Sequence, residues 1–132
     1  MAGDIALQFV ADSLVSLCRG TDKVYRYGGE EFVIVAHGSE QEVEQLMSRI
    51  LKFFQETEID IGSKLKSSSR LRGVKINKTV SMGSVARSRL VSEADFQAHF
   101  DRADLSLYSA KNSGRNRFIQ DLVGGLRKSS GQ

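Results

Sequence analysis

The feature that most restricts the fold is a pair of glycines between two strand-like runs. Residues 23–27 and 32–36 are rich in β-branched and aromatic side chains, and the four residues Gly28–Glu31 (Gly-Gly-Glu-Glu) separate them. Such side chains suit a pleated, half-buried surface, and paired glycines accept the positive φ that tight hairpin turns require. The sequence therefore predicts a β-hairpin whose tip carries two adjacent carboxylates.

Two stretches with helical spacing flank this hairpin. The first begins at Asp4, a predicted N-cap, and ends near Gly20, with apolar residues at every third or fourth position. The second opens with the capping-box pair Ser39 and Glu42 and continues as an apolar stripe. Both are predicted as amphipathic helices.

Further strands and a third helix are predicted in the second half of the chain. A polar, serine-rich stretch over 56–69 predicts a mobile loop, and residues 71–86 alternate like one or two strands with a candidate turn at 77–78. The third helix begins with the pair Ser92 and Asp95. Its residues predicted to face inward are Phe96, Phe100, Ala103, Leu107 and Ala110.

The third helix is predicted to end at Gly114, a typical helix-terminating glycine. A short strand follows over 117–119, and residues 122–132 form a Gly/Ser/Lys-rich tail. The order α-β-β-α-β-α-β implies an α/β fold with helices packed on a mixed sheet.

Composition excludes several classes of protein. A chain of 132 residues with 40% hydrophobic and 27% charged residues suits one domain with a real core. No apolar run approaches the roughly 18 residues that a membrane span needs, so no membrane insertion is expected. A lone cysteine, Cys18, excludes an internal disulfide and favours a cytoplasmic location. With 19 basic and 16 acidic residues, the chain is not expected to bind nucleic acid.

Two charged clusters carry the chemistry. At the hairpin tip, Glu30 and Glu31 repel each other unless a cation lies beside them, and hard oxygen ligands favour Mg²⁺ or Mn²⁺; a solvated turn is the alternative. After the third helix, three cations gather around Gly114 in the segment 111–117. They suit phosphate binding, although cations at a helix C-terminus also stabilise its dipole. Together, the clusters indicate a nucleotide-triphosphate site.

These residues resemble those of a known family. The segment Arg26–Phe32 (Arg-Tyr-Gly-Gly-Glu-Glu-Phe) resembles the signature of GGDEF domains, the diguanylate cyclases of bacteria, in its GGEEF form. Further segments resemble that family's other motifs in the same order: Gly3-Asp4, Thr79–Gly83, Ala103-Asp104, Leu107-Tyr108, Ala110-Lys111 and Gly114–Asn116. The resemblance covers nearly the whole chain and implies a palm-like mixed sheet, as in nucleotidyl cyclases, flanked by helices.

The resemblance also implies an activity, a signalling enzyme that condenses two GTP into cyclic di-GMP and releases two pyrophosphates. It implies a homodimer in which each domain presents one GTP, with Mg²⁺ or Mn²⁺ as the cofactor. By position, Glu30 would bind the metal and accept a proton, and Glu31 would assist. The other substrate-binding residues would be Asp4 for guanine, Gly28 and Gly29 for room at the ribose and phosphates, and Lys111 and Arg115 for the terminal phosphates.

A second site is implied by an Arg-x-x-Asp pattern at Arg19 and Asp22, six positions before Gly28. In the family this pattern marks a site for inhibition by the product, cyclic di-GMP, and Arg49 resembles an arginine that completes it. A helix-end salt bridge is the alternative reading of the pattern itself.

The resemblance places the domain at 1–120 and a tail at 121–132, without the family's first strand and helix. That strand is central to the family's sheet, so its absence predicts a gap with exposed edges. A gene start assigned too late, artificial trimming and a native N-terminal truncation are the open explanations. The expectation is a chain with little or no activity, from a longer protein with an upstream sensor domain. A non-catalytic cyclic di-GMP receptor is the alternative function.

Overall fold

The chain forms three helices and seven short strands in a computed structural model that describes residues 2–60, 75–85, 92–122 and 125–128. In chain order the elements are α1 (Ala2–Leu17), β1 (Lys23–Gly28), β2 (Glu31–Val35), α2 (Glu40–Glu56), β3 (Glu58–Asp60), β4 (Lys75–Asn77), β5 (Met82–Val85), α3 (Glu93–Asn112), β6 (Phe118–Leu122) and β7 (Gly125–Lys128). This is the predicted mixture of helices and strands.

The described strands form three small sheets. β1 pairs with β2 and β3 with β4, both antiparallel, whereas β5 pairs parallel with β6, which pairs antiparallel with β7. The predicted hairpin is confirmed, and the alternating stretch after residue 71 holds two strands. Among the described strands, the hairpin is a separate sheet from β5-β6-β7.

Two strands lie where the sequence analysis predicted none. β3 (Glu58–Asp60) falls at the start of the stretch predicted as a loop, whose residues 61–69 lie outside the described part. β7 (Gly125–Lys128) falls in the segment predicted as a tail. β3 is specified by pairing with β4, which lies beyond residues 61–74, whereas β7 pairs with the neighbouring strand β6. Local composition reveals neither pairing.

The helix starts follow the predicted caps with one exception. The Ser39 side chain accepts from the Glu42 backbone N–H and the Glu42 carboxylate accepts from the Ser39 N–H, so the capping box is confirmed. Ser92 likewise accepts from Asp95 N–H at the start of α3. The prediction that Asp4 caps α1 is wrong, because the helix already begins at Ala2 and Asp4 lies in its first turn.

The main core lies between the helices α1 and α2 and the sheets β1-β2 and β5-β6-β7. Its fully buried members are Leu14, Leu46, Ile50 and Phe54. Side chains from β2 and from β5 pack on this same cluster, Phe32 and Ile34 from one and Met82 from the other. One helical layer therefore covers both sheets on the same side, and it fixes the hairpin relative to β5.

α3 covers the opposite face of β5 and β6. Ala110 is fully buried, and Phe100, Ala103 and Leu107 are half-buried, as predicted for the inward face. Phe96 departs from the prediction because 45% of it is exposed. Its ring stacks on Phe100 at the mouth of an open cavity, where no described strand covers it.

Candidate functional site

The hairpin tip is a tight turn held by an arginine. Gly29 adopts a φ of 53°, a left-handed conformation that glycine accepts without steric cost. The Arg26 guanidinium donates to the Gly29 carbonyl from Nε at 3.1 Å and from Nη2 at 2.7 Å. Because the turn is fixed in this way, Glu30 and Glu31 are presented from a defined backbone.

Each tip carboxylate faces a lysine from a different element. The Lys111 Nζ, at the end of α3, lies 3.2 Å from the Glu31 Oε2, and both side chains are partly exposed. The Lys78 Nζ, just after β4, lies 3.6 Å from the Glu30 Oε1. The two clusters that the sequence analysis singled out therefore meet, although their closest members are 80 positions apart.

Lys78 is a member of this site that sequence reasoning missed. It lies at the predicted turn before the segment Thr79–Gly83, and that position beside a recognisable motif was the available signal. Neither periodicity nor spacing distinguishes it from other exposed lysines.

The two tip glycines border open space. An added Cβ at Gly28 or at Gly29 would meet no heavy atom within 4 Å. The protein itself therefore does not require a small residue at Gly28, and the room beside the carboxylates is accessible to a ligand.

The turn after α3 holds a second set of candidate residues. The Arg115 N–H donates to the Ala110 carbonyl, closing the helix end around Gly114, whose φ is 128°. Arg115 and Asn116 both adopt positive φ, and the Asn116 N–H donates to the Ser81 hydroxyl. This loop is therefore fixed to the start of β5, and Arg115 remains exposed on it.

Asp4 belongs to another element, the helix α1. It is exposed in the first turn of α1, whose neighbouring Ala6 packs with Ile59. Within the described residues, no hydrogen bond or ion pair connects Asp4 to the hairpin tip.

The Arg-x-x-Asp pattern forms a compact network at the end of α1. The Asp22 carboxylate is fully buried and accepts from the backbone N–H groups of Arg19, at 2.9 Å, and His37, at 3.2 Å. The Arg19 guanidinium donates to the His37 carbonyl and lies 3.6 Å from the Glu42 carboxylate. Asp22 thus ties the loop before β1 to the end of β2.

The pKa shifts of Asp22 and Cys18 agree with this geometry. Burial raises the pKa of the Asp22 carboxyl, but the hydrogen bonds from the Arg19 and His37 backbone and the Arg19 charge outweigh it, so that the pKa is lowered overall. At Cys18, burial raises the thiol pKa, the Asp22 charge raises it further and the Arg49 charge opposes the shift. Arg49 therefore lies within electrostatic range of this network.

The carboxylates fit a metal that a substrate helps to hold. In the part of the chain that the structure describes, no three His, Cys, Asp or Glu side chains lie close enough to hold an ion. Mg²⁺ is commonly bound through one or two carboxylates together with substrate phosphates. Glu30 and Glu31 match that donor set, and the nearby lysines match the phosphates.

An α/β domain with paired carboxylates and lysines at a hairpin tip has the charge arrangement of a nucleotide-phosphate site. Residues 1–117 match the family model described as diguanylate cyclase, GGDEF domain. Diguanylate cyclase A of Treponema denticola is 34% identical over 88% of this chain and 28% of its own length. Diguanylate cyclase VdcA of Vibrio cholerae is 37% identical over 89% of this chain and 32% of its own length. The chain therefore belongs to the GGDEF-domain family of diguanylate cyclases.

A solved structure supports the fold. Diguanylate cyclase SiaD from Pseudomonas aeruginosa, in complex with its activator SiaC, superposes with a TM-score of 0.61 at 23% identity, over 86% of this chain and 38% of that one. The chain thus spans about a third of the proteins that it matches. None of the described helices is long and apolar enough to cross a membrane.

Proposed function

We propose that this domain, as part of the longer protein expected from the sequence analysis, condenses two molecules of GTP into cyclic di-GMP with release of two pyrophosphates. The observation that carries the proposal is the meeting of Glu31 with Lys111 at 3.2 Å and of Glu30 with Lys78 at 3.6 Å. Carboxylates that face ammonium groups can hold a cation and phosphates in one place, which is the arrangement that phosphoryl transfer needs.

The residue roles follow from their positions. Glu30, exposed at the tip, would bind Mg²⁺ or Mn²⁺ and accept a proton from the 3′-hydroxyl, while Glu31 would assist. Lys111 and Arg115 would contact the terminal phosphates, since Lys111 faces Glu31 and Arg115 is exposed on the turn just after α3. Gly28 and Gly29 would leave room for the ribose, and Asp4 would accept hydrogen bonds from guanine.

The reaction requires two copies of the domain. Each 3′-hydroxyl would attack the α-phosphate of the GTP on the other copy and form a 3′-O–Pα bond. The bond between that α-phosphorus and the pyrophosphate oxygen breaks, the pyrophosphate leaves with the electron pair, and Glu30 would accept the hydroxyl proton. When bound, the divalent cation would neutralise charge on the triphosphate and lower the pKa of the attacking hydroxyl. We propose a homodimer for this step, in a cytoplasmic protein whose upstream sensor domain adjusts the distance between the two sites.

Lys111→Ala is expected to weaken GTP binding about tenfold or more, because a charge-assisted contact to phosphate is worth roughly 1.5–3 kcal/mol. Isothermal titration of the chain with GTP and Mg²⁺ measures this without requiring turnover. Lys52→Ala, which removes an exposed lysine from α2, is the matched control and should bind GTP like the unaltered chain. Equal affinity of the two variants would contradict the proposed phosphate site.

Binding of cyclic di-GMP is the second candidate function, and the network at the end of α1 favours it. Arg19 is half-exposed and Arg49 is exposed, so both guanidinium groups can reach a ligand phosphate. Asp22 is fully buried and already accepts from two backbone N–H groups. We therefore propose that Asp22 positions Arg19 in this conformation, and that the arginines supply the ligand contacts for product inhibition.

Arg49→Ala is expected to weaken cyclic di-GMP binding about tenfold while leaving GTP binding unchanged, since an arginine–phosphate contact is lost at one site only. Titration of both nucleotides against this variant and against Lys52→Ala gives the comparison. If cyclic di-GMP binds normally to Arg49→Ala but not to Lys111→Ala, the product binds at the substrate site and the separate inhibitory site is wrong.

A further inference from the structure

The last turn of α2 has no basic side chain of its own to bind its carbonyl groups. An α-helix leaves its last four C=O groups without a partner inside the helix, and these groups form the negative end of the helix dipole. None of the residues in the last turn of α2 is basic, and the helix ends in Gln55 and Glu56. These carbonyls therefore require water or a donor from another element.

The Asn77 side chain supplies that donor. Asn77 is the last residue of β4, and its Nδ2 donates to the Phe54 carbonyl at 3.1 Å and to the Thr57 carbonyl at 2.9 Å. The Gln55 carbonyl lies farther from the same nitrogen, at 3.4 Å. Since a carboxamide nitrogen carries two hydrogens, the two shorter bonds use both of them. Asn77 thus caps α2 from a strand that lies 20 positions after Thr57.

This cap fixes the backbone beside Lys78. Lys78 follows Asn77 directly, in the connection between β4 and β5, where residues 78–81 belong to no helix or strand. β4 is only three residues long, and Asn77 lies at its end, opposite Glu58 of β3. Because so short a ladder resists fraying poorly, the bonds from Asn77 to α2 add to what holds this end of the strand.

The ion pair between Lys78 and Glu30 is too weak to hold Lys78 in place. The two side chains are 44% and 77% exposed, and the Lys78 Nζ lies 3.6 Å from the Glu30 Oε1. Exposed pairs of this kind are screened by water and salt, and they restrain long side chains only slightly. The position of the Lys78 ammonium group at the hairpin tip therefore depends on the backbone that carries it.

The same turn of α2 has a second connection to the candidate site. The Gln55 Nε2 donates to the Asn116 Oδ1 at 2.9 Å, and Asn116 directly follows Arg115. One turn of α2 thus contacts an asparagine beside each of two cations, Lys78 and Arg115. The two connections use different groups of α2, backbone carbonyls for Asn77 and a side chain for Asn116, so one can be removed without the other.

We propose that Asn77 is a positioning residue of the candidate site, which holds Lys78 opposite Glu30 by capping the C-terminus of α2. The Lys78 ammonium group is thereby kept at the hairpin tip, where it can contact the phosphates of a nucleotide whose divalent cation is bound by Glu30. The contact with a nucleotide rests on the proposed function, whereas the positioning of Lys78 does not.

Zero-length cross-linking with a water-soluble carbodiimide measures the positioning directly, because the reagent joins an amine to a carboxylate only where the two are in contact. Peptide mass spectrometry of the unaltered chain should find Lys78 joined to Glu30. It should also find Lys111 joined to Glu31, a pair at 3.2 Å that serves as the internal reference. Asn77→Ala should lower the first link about fivefold relative to the second, because one lost hydrogen bond changes an equilibrium by a factor of roughly 2–12.

Gln55→Ala is the matched control for this measurement. It removes the side-chain bond to Asn116 at the same end of α2 but keeps the backbone carbonyls that Asn77 caps, so the ratio of the two links should stay as in the unaltered chain. An unchanged ratio in Asn77→Ala would overturn the proposal. So would an equal loss of both links, because Asn77 would then support the fold as a whole and not Lys78 in particular.

Titration with GTP and Mg²⁺ tests what the positioning serves. Lys78→Ala and Asn77→Ala should each weaken GTP binding several-fold. The double variant should bind no more weakly than Lys78→Ala alone, since Asn77 acts through Lys78, and additive losses would overturn that route. If the unaltered chain did not bind GTP, the result would count against the proposed function, while the cross-link ratio would still decide the role of Asn77.

Discussion

Gly83→Ala should destabilise the domain by about 3 kcal/mol or more, because the added methyl group would clash with backbone atoms. An added Cβ would lie 2.1 Å from the Leu107 backbone nitrogen and 2.4 Å from the Ala103 carbonyl oxygen. Both contacts are with the backbone of α3, so no rotamer change relieves them and the helix must move off β5. With domains stable by only about 5–15 kcal/mol, this is a large share of the total.

Thermal unfolding followed by circular dichroism measures the effect, which should lower the melting temperature by about 10 °C or more. Gly20→Ala is the matched control, since an added Cβ there meets nothing within 4 Å. Equal melting temperatures for the two variants would show that α3 does not approach β5 as closely as described.

Asp22→Ala is the second large effect, expected to cost about 2–4 kcal/mol of unfolding free energy. The substitution leaves the backbone N–H groups of Arg19 and His37 without their buried acceptor. Asp12→Ala, which removes an exposed carboxylate from α1, is the control and should change stability by a few tenths of a kcal/mol. Urea unfolding of both variants separates the outcomes, and similar midpoints would contradict the role of Asp22.

The pH dependence gives an independent check on Asp22. Its pKa is lowered in the folded state, so the unfolded chain binds more protons and the ionised carboxylate stabilises the fold above the ordinary aspartate range. That stability should fade as the pH drops below about 4. Glu42, whose pKa is lowered by hydrogen bonds from Ser39, acts in the same direction. The Asp22→Ala variant should therefore lose less stability on acidification than the unaltered chain.

The expected loss of stability in Asp22→Ala affects the design of any test of cyclic di-GMP binding. Asp22 supports the loop that carries Arg19. If an Asp22 variant failed to bind cyclic di-GMP, the cause could therefore be unfolding of the loop or loss of a ligand contact. Arg49 is exposed on α2 and is the cleaner position. Cyclic di-GMP binding should therefore be measured on the Arg49→Ala variant before it is measured on an Asp22 variant.

The elements with local signals were predictable from sequence. The hairpin follows from Gly28 and Gly29 between two β-rich runs, and α2 follows from the Ser39–Glu42 capping box. These features depend on residues a few positions apart, whose preferences act before any tertiary contact forms. The charges that define the candidate site, Glu30, Glu31 and Lys111, were evident for the same reason.

The sequence by itself thus determined which elements form and which charged residues could share a site. Tertiary structure decided what depends on partners farther along the chain: the strand β3, the pairing of Lys78 with Glu30, and the buried role of Asp22. The need for glycine at position 83 also depends on tertiary structure, because an added Cβ would meet the backbone of α3, some 20 positions later. The physical cause is the same in each case, because pairing, burial and close approach are properties of two segments together and neither segment encodes them alone.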